Sequence, residues 1–161
     1  TQIDLDELLR AMIDLYEPSM ADKGLEIRLL SAGSVTIEAD AALIHRMIAN
    51  LFDNELKHLP AACKVIIRIQ VSEDSVSLVF EDDGPGFSPE VMPQLFEQRV
   101  KGRESNGHGL GLAFIDAVAR AHGGTVTACN RGNGGAQVTV TLPLLSGESI
   151  GSSVAIIHGV D

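Results

Sequence analysis

Two glycine-rich segments, separated by about twenty residues, carry the side chains best suited to chemistry in this sequence. Residues 81–87 (EDDGPGF) place carboxylates at the end of an apolar run, immediately before a sharp turn of the backbone. Residues 107–112 (GHGLGL) lead into a helix whose free N–H groups can face a phosphate. Together, the two segments indicate a nucleotide-binding site.

A third segment, residues 50–58 (NLFDNELKH), has residue types that suit a magnesium ion. Asn50 and Asn54 are four residues apart, so they lie on one face of a helix, together with Lys57. Amide oxygens are neutral ligands for Mg²⁺, whose remaining ligands would be phosphate and water oxygens. The three segments therefore predict a site for a nucleotide with its magnesium ion.

Three helices that would hold these segments are predicted from the spacing of apolar residues. The first follows Asp4, a suitable N-cap, and closes at Gly24. The second is capped by Asp40, ends at Pro60 and carries both asparagines on its polar face. The third spans residues 108–122 and ends before two glycines.

Alternating apolar and polar residues predict three pairs of short strands. The pairs are residues 26–30 with 35–39, 64–71 with 75–80, and 125–129 with 136–142. The order of helices and strands predicts an α/β (α+β) two-layer sandwich, in which helices cover one face of a mixed sheet. Residues 88–106 lose this periodicity and are interpreted as a mobile lid, since long irregular segments in compact domains are usually functional.

The composition favours a single acidic domain. The 161 residues (17.1 kDa) fit one domain at residues 1–145, followed by a tail at 146–161 for which the sequence indicates no role. A net charge of −10 and a pI near 4.8 argue against a general nucleic-acid binder. Cys63 and Cys129 are too few for a zinc site or a disulfide framework, so both are expected to be small buried side chains in a reducing cytosol.

The sequence also carries no predicted membrane segment. No apolar run reaches the roughly 18 residues of a membrane span, and the N-terminal residues lack the pattern of a signal peptide. We therefore expect a cytoplasmic chain that makes no direct membrane contact, which would hold equally for a domain cut from an inner-membrane sensor.

In this order, the three segments resemble those of the ATP-binding catalytic domain of bacterial two-component sensor histidine kinases, in the superfamily shared with gyrase, the Hsp90 chaperone and MutL. The resemblance extends from Ile3 to Pro143 and includes residues 112–115 (LAFI) and 121–124 (AHGG). It implies a Bergerat-type ATP-binding fold that holds Mg-ATP. The implied acceptor is a histidine on a separate dimerisation domain, and a response-regulator aspartate receives the phosphoryl group later.

The resemblance further implies roles for single residues. Asp82 would accept a hydrogen bond from the amino group of adenine, where guanine offers an oxygen instead. Gly84 and Gly86 would let the backbone bend close to the base. Asn54 would bind Mg²⁺, and Lys57 would lie near a phosphate.

Asn50 bears on the kind of reaction. It stands where the ATP-hydrolysing relatives have a glutamate that activates water, and an amide cannot take up a proton at neutral pH. The residue therefore favours phosphoryl transfer over efficient hydrolysis.

The lid and the second glycine-rich segment would hold the phosphates. Lys101 and Arg103 could neutralise the triphosphate or could simply be solvated. His108 could donate to a phosphate or could act only as a spacer. The predicted nucleotide contacts of the segment are Gly107, His108, Gly109, Leu110, Gly111 and Leu112.

Two residues depart from the family pattern. Glu55 stands where the family usually has an alanine, so its carboxylate would either approach the phosphates or point outward. The first lid aromatic is kept as Phe96, but Arg99 replaces a common second aromatic, which makes docking of the lid less certain than nucleotide binding.

The phosphorylated histidine is expected outside this chain. None of the five histidines (His45, His58, His108, His122 and His158) precedes an acidic residue on a long helix. His122, at a helix end, is expected to pack or cap. The alternatives left open are an ATPase of the gyrase or chaperone type, a serine kinase of the anti-sigma-factor kind, and a nucleotide-binding module without catalytic activity.

Overall fold

The computed structural model describes residues 1–97 and 112–144 of the chain. Within these ranges there are three α-helices, seven β-strands and one 3₁₀ turn at Met92–Gln94. The helices are α1 (Leu5–Asp22), α2 (Ala41–His58) and α3 (Leu112–Ala121). The strands are β1 (Gln2–Asp4), β2 (Glu26–Leu30), β3 (Thr36–Glu38), β4 (Lys64–Val71), β5 (Ser75–Asp82), β6 (Thr125–Asn130) and β7 (Ala136–Pro143).

Five of the strands form one mixed sheet in the order β2-β4-β5-β7-β6. β2 and β4 are parallel, and the other neighbours are antiparallel. Alternate residues of the central strands, such as Ile67 and Leu78, are fully buried in the core. α1 packs on α2 and α2 on α3, while α1 also contacts β2 and α3 contacts β6. The predicted two-layer α/β sandwich with a mixed sheet is confirmed.

The N-terminal caps of α1 and α2 are the predicted aspartates. Asp4 Oδ1 accepts hydrogen bonds from the backbone N–H groups of Asp6 and Glu7 at 3.0 and 3.2 Å. Asp40 Oδ1 accepts one from the N–H of Leu43 at 3.1 Å. Each cap satisfies N–H groups that have no partner within the helix, which stabilises a helix by about 1 kcal/mol. The cap at Asp40 thereby fixes the start of the helix that carries the two asparagines.

His122 connects the end of α3 to the start of α2. Its Nε2 accepts a hydrogen bond from the N–H of Asp40 at 3.1 Å. Its Nδ1 lies 2.8 Å from the carbonyl oxygen of Val118 and therefore carries the donor proton in the neutral ring. The predicted packing and capping role of this histidine is confirmed.

The first predicted strand pair is wrong. Residues 26–30 and 35–39 do not pair with each other: β2 pairs with β4, with Ile27 opposite Val65, and β3 pairs with β1 in a separate two-stranded sheet. Alternation shows which face of a strand is apolar but not which strand lies beside it. The three-residue strand β1, which the sequence analysis missed, provides the partner, and Ile37 of β3 is buried.

One of the two cysteine predictions is also wrong. Cys63 is buried, as expected, but Cys129 is exposed. Cys129 lies on β6 at the edge of the sheet, opposite Gln137 rather than in register with the buried valines of β7. Its position in the strand, not its residue type, decides its exposure.

None of the helices in the two described ranges is both long enough and apolar enough to cross a membrane. The predicted tail at 146–161 and most of the second half of the predicted lid lie outside the described residues.

Candidate functional site

A cavity of about 350 Å³ lies between the C-terminal end of α2 and the end of β5. Its lining combines apolar side chains with a few polar groups, as is typical of sites for small molecules. The lining residues are Asn54, Glu55, His58, Leu59, Phe80, Asp82, Pro85, Gly86, Phe87, Ser88, Val91, Leu112, Ala136 and Val138. Four predicted site residues therefore meet in one cavity: Asn54, Asp82, Gly86 and Leu112.

Asp82 is the last residue of β5, and its side chain is only 6% exposed. One carboxylate oxygen, Oδ1, accepts hydrogen bonds from the N–H groups of Gly84 at 3.0 Å and Ala136 at 3.2 Å. Because two backbone donors hold the same oxygen, the carboxyl group has a fixed orientation and its other oxygen can serve a further partner. The carboxylate is thus prepared to accept a hydrogen bond from a ligand in the cavity.

The loop after Asp82 is held by Asn130, the last residue of β6. Asn130 Oδ1 accepts from the N–H of Phe87 at 2.7 Å, and Asn130 Nδ2 donates to the carbonyl of Phe87 at 3.0 Å. Gly86 has φ +80°, and a Cβ atom built on it would lie 2.7 Å from Asn130 Oδ1. Glycine is therefore needed here both for the backbone angle and for the contact with Asn130.

The turn between β6 and β7 also fixes the backbone of Asp82. Arg131 Nη1 donates to the main-chain carbonyl of Asp82 at 2.8 Å. Gly135 has φ +99°, and a Cβ atom on it would lie 1.8 Å from the same carbonyl oxygen, so any larger residue would displace Asp82. The sequence pattern predicts only a hairpin turn for this segment. The glycine pair directly before β7 is the signal that could have revealed a close backbone approach.

Glu55 faces the cavity and not the solvent. Its side chain is 9% exposed, and it is hydrogen-bonded to Asp82. Burial, followed by the charge of Asp82 and the hydrogen bond with it, raises the pKa of Glu55 well above its ordinary value. The sequence leaves open whether this side chain approaches the phosphates or points outward, and neither alternative places Glu55 beside Asp82.

Three further predicted site residues lie near the cavity without lining it: Asn50 and Lys57 on α2, and Gly84 in the loop after β5. Asn50 is partly buried one turn before Asn54, and Lys57 is exposed; neither contributes to the lining of the cavity. Gly84 packs closely against Leu59, the C-cap residue of α2. A Cβ atom built on Gly84 would lie 2.4 Å from Leu59 Cδ2. The roles of Asn50 and Lys57 stay predictions.

The other predicted phosphate contacts lie outside the described residues: Lys101, Arg103, Gly107, His108, Gly109, Leu110 and Gly111. In the part of the chain that is described, no group of three or more His, Cys, Asp or Glu side chains could hold a metal ion. Asn54 lines the cavity, and its side-chain amide has an oxygen of the kind that binds Mg²⁺ together with phosphate oxygens, so its role as a magnesium ligand stays a prediction.

Comparison with known proteins places the chain among ATP-binding domains. The sequence model of the family described as "Histidine kinase-, DNA gyrase B-, and HSP90-like ATPase" matches residues 39–146. The Sensor protein KdpD of Escherichia coli K12 is 33% identical over 145 residues, which are 88% of this chain and 16% of that protein. The chain spans between 16% and 32% of the length of the first curated relatives it matches.

Solved structures share the fold. The catalytic domain of histidine kinase ThkA superposes with a TM-score of 0.78 at 23% identity, covering 89% of this chain and 94% of that domain. Full-length ShkA in complex with AMPPNP gives a TM-score of 0.77 at 27% identity, covering 93% of this chain and 32% of ShkA. ThkA has also been solved in complex with the response regulator protein TrrA, with a TM-score of 0.75 at 21% identity over 90% of this chain and 42% of that one.

Proposed function

Because the chain belongs to the family of histidine kinase-, DNA gyrase B- and HSP90-like ATPases, we propose that it binds Mg-ATP and donates the γ-phosphoryl group to a histidine of a separate dimerisation domain. The observation that carries this proposal is Asp82, a buried carboxylate held by two backbone N–H groups at the wall of a cavity that also contains Asn54. The relatives that resemble the chain over most of its length include sensor kinases.

The base of the nucleotide would occupy the apolar end of the cavity. Asp82 accepts a hydrogen bond from the 6-amino group of adenine, while Phe80 and Val138 contribute apolar surface to the lining. Asn130 holds the backbone of Phe87, and Gly135 allows close packing on the carbonyl of Asp82, so both support the loop that follows Asp82. The chain's own contribution at this end is therefore binding and orientation.

The phosphates would extend from the cavity toward Asn54 and the start of α3. Asn54 would hold the magnesium ion, which when bound neutralises phosphate charge. Residues 107–112 (GHGLGL), which the sequence predicts as phosphate contacts, would complete the site. Phosphoryl transfer requires mainly positioning and charge neutralisation, so residues of this kind are sufficient for the donor half of the reaction.

The acceptor and the later partner lie outside the chain in this proposal. The acceptor histidine belongs to a dimerisation domain of the parent kinase, and a response regulator then receives the phosphoryl group in the cytoplasm. The complex of ThkA with TrrA shows a protein of the same fold together with a response regulator, which supports a partner of this class.

The proposal is tested by mixing the chain, γ-labelled ATP and a separately produced dimerisation domain that contains the acceptor histidine. We expect label on the dimerisation domain that is lost in acid and kept in alkali, as for phosphohistidine. Asn54→Ala should abolish the transfer and remove the magnesium dependence of nucleotide affinity, because the amide ligand is gone.

His45→Ala is the matched control, since His45 is an exposed residue of α2 outside the cavity lining. This variant should transfer the label at the normal rate, and circular dichroism should show that both variants are folded. Normal transfer by Asn54→Ala would place the metal ligand elsewhere, and a chain that binds no ATP would refute the proposal.

A further inference from the structure

Glu55 and Asp82 form the one buried polar pair in the described part of the chain. All other buried side chains there are apolar, and these two carboxyl groups are 9% and 6% exposed. They come from different elements, α2 and β5, and are hydrogen-bonded to each other at the wall of the cavity. Burying polar groups costs free energy, so a pair that faces a cavity rather than the core has a role in that cavity.

The surroundings of the two groups indicate which of them donates. A hydrogen bond between two carboxyl groups requires a proton on one of them. Asp82 Oδ1 accepts from the N–H groups of Gly84 and Ala136, and burial raises the pKa of Glu55 well above its ordinary value, so we assign the acceptor role to Asp82 and the proton to Glu55. Glu55 then carries the proton, and the cavity presents an acceptor and a donor side by side.

An acceptor beside a donor matches one edge of adenine. Adenine presents the 6-amino group as a donor and N1 as an acceptor, whereas guanine presents an oxygen at position 6 and an N–H at position 1. With Asp82 facing position 6, guanine would meet an unsuitable group at both positions. Mismatched buried polar groups are a strong source of discrimination between ligands.

We propose that Glu55 is a second base-contacting residue, which donates a hydrogen bond to N1 of adenine while Asp82 accepts one from the 6-amino group. The inference rests on the proposed function, since it presumes an adenine nucleotide in this cavity. On binding, the amino group of adenine becomes a donor to Asp82, and the proton of Glu55 changes its hydrogen-bond acceptor from Asp82 to N1. No covalent bond is formed or broken in this exchange.

The test compares ATP with 1-deaza-ATP, which keeps the 6-amino group but has a carbon in place of N1. Dissociation constants are measured by isothermal titration for the unaltered chain, Glu55→Gln and Glu55→Ala. We expect the unaltered chain to bind ATP about three- to tenfold more tightly than 1-deaza-ATP, the effect of one neutral hydrogen bond. Glu55→Gln should keep this preference because its amide can donate, and Glu55→Ala should lose it.

The outcomes separate this inference from the proposed function. If the unaltered chain binds ATP and 1-deaza-ATP equally, or if Glu55→Ala keeps the preference, Glu55 does not contact N1, although nucleotide binding stands. Tighter ATP binding by Glu55→Ala would show that the glutamate obstructs the base, which also overturns the inference. If neither the unaltered chain nor Glu55→Gln binds ATP at all, the proposed function fails as well.

Discussion

Asp82 is a side chain that the protein itself holds in one orientation. Its position at the end of β5, its burial and its two backbone donors leave little freedom in the orientation of the carboxyl group. A ligand therefore does not have to order this side chain on binding, which favours affinity. The same fixed geometry makes the residue selective, because a donor must be presented at one place.

Asp82→Asn should weaken ATP binding by about 1.5–3 kcal/mol, the range for a hydrogen bond to a charged group. Asparagine can keep the two bonds from Gly84 and Ala136 through its oxygen, but its NH₂ group would then face the amino group of adenine. Competition with a fluorescent ATP analogue measures the change, and thermal unfolding controls for the fold. Equal ATP affinity of both proteins, or equal binding of GTP and ATP by the unaltered chain, would remove Asp82 from the base site.

Glu55 illustrates a different effect at this scale. A carboxyl group next to another carboxyl group costs free energy when charged, and burial raises that cost. The pKa of Glu55 is raised because α2 places its side chain in a buried position next to Asp82. The same residue on the exposed face of the helix would have been an ordinary solvated glutamate.

At the scale of elements, the hairpin of β6 and β7 supports the loop that follows β5. Asn130 bonds to both backbone groups of Phe87, and Gly135 permits contact with the carbonyl of Asp82. β7 lies beside β5 in the sheet, so the turn that precedes β7 necessarily meets the end of β5. Sheet order therefore places a segment distant in sequence against the site.

Asn130→Ala should lower both stability and ATP affinity, because two hydrogen bonds to the Phe87 backbone are lost. We expect a loss of about 1–2 kcal/mol in the free energy of unfolding, measured by urea denaturation. Asn133→Ala is the matched control, since Asn133 is an exposed asparagine of the same turn. The two variants would have the same ATP affinity if the contact with Phe87 did not matter for the site.

At the scale of the whole molecule, we propose that the chain supplies a nucleotide site to an acceptor histidine on another domain. Two of the histidines have places within the fold: His122 connects the end of α3 to the start of α2, and His58 lines the cavity at the end of α2. A molecule of this kind would act by presenting its nucleotide to another domain.

The chain by itself should bind ATP, hydrolyse it very slowly and label none of its own residues. The physical reason is Asn50, an amide that cannot activate water as a glutamate would. Release of inorganic phosphate, followed in the presence and absence of the dimerisation domain, measures this. Rapid release without a partner would support a gyrase- or chaperone-type ATPase, and acid-stable label on a partner serine would support a kinase of the anti-sigma-factor kind.

The sequence by itself determined the features that depend on neighbouring residues. The caps at Asp4 and Asp40 and the helical face that carries Asn54 follow from local hydrogen bonding and from the 3.6-residue period. The sharp turn after β5 could likewise be predicted from its glycines, because Gly86 adopts a positive φ that other residues rarely adopt.

Only the tertiary structure decided the features that depend on contacts between distant residues. The parallel pairing of β2 with β4, the support of Asp82 by Gly135 and the contact of Glu55 with Asp82 each join segments far apart in the chain. Periodicity gives the face of an element but not its neighbour, since the neighbour is chosen by the packing of the whole core. For that reason the sequence shows only that a glutamate follows an asparagine on α2, whereas the fold brings this glutamate next to Asp82 in the lining of the cavity.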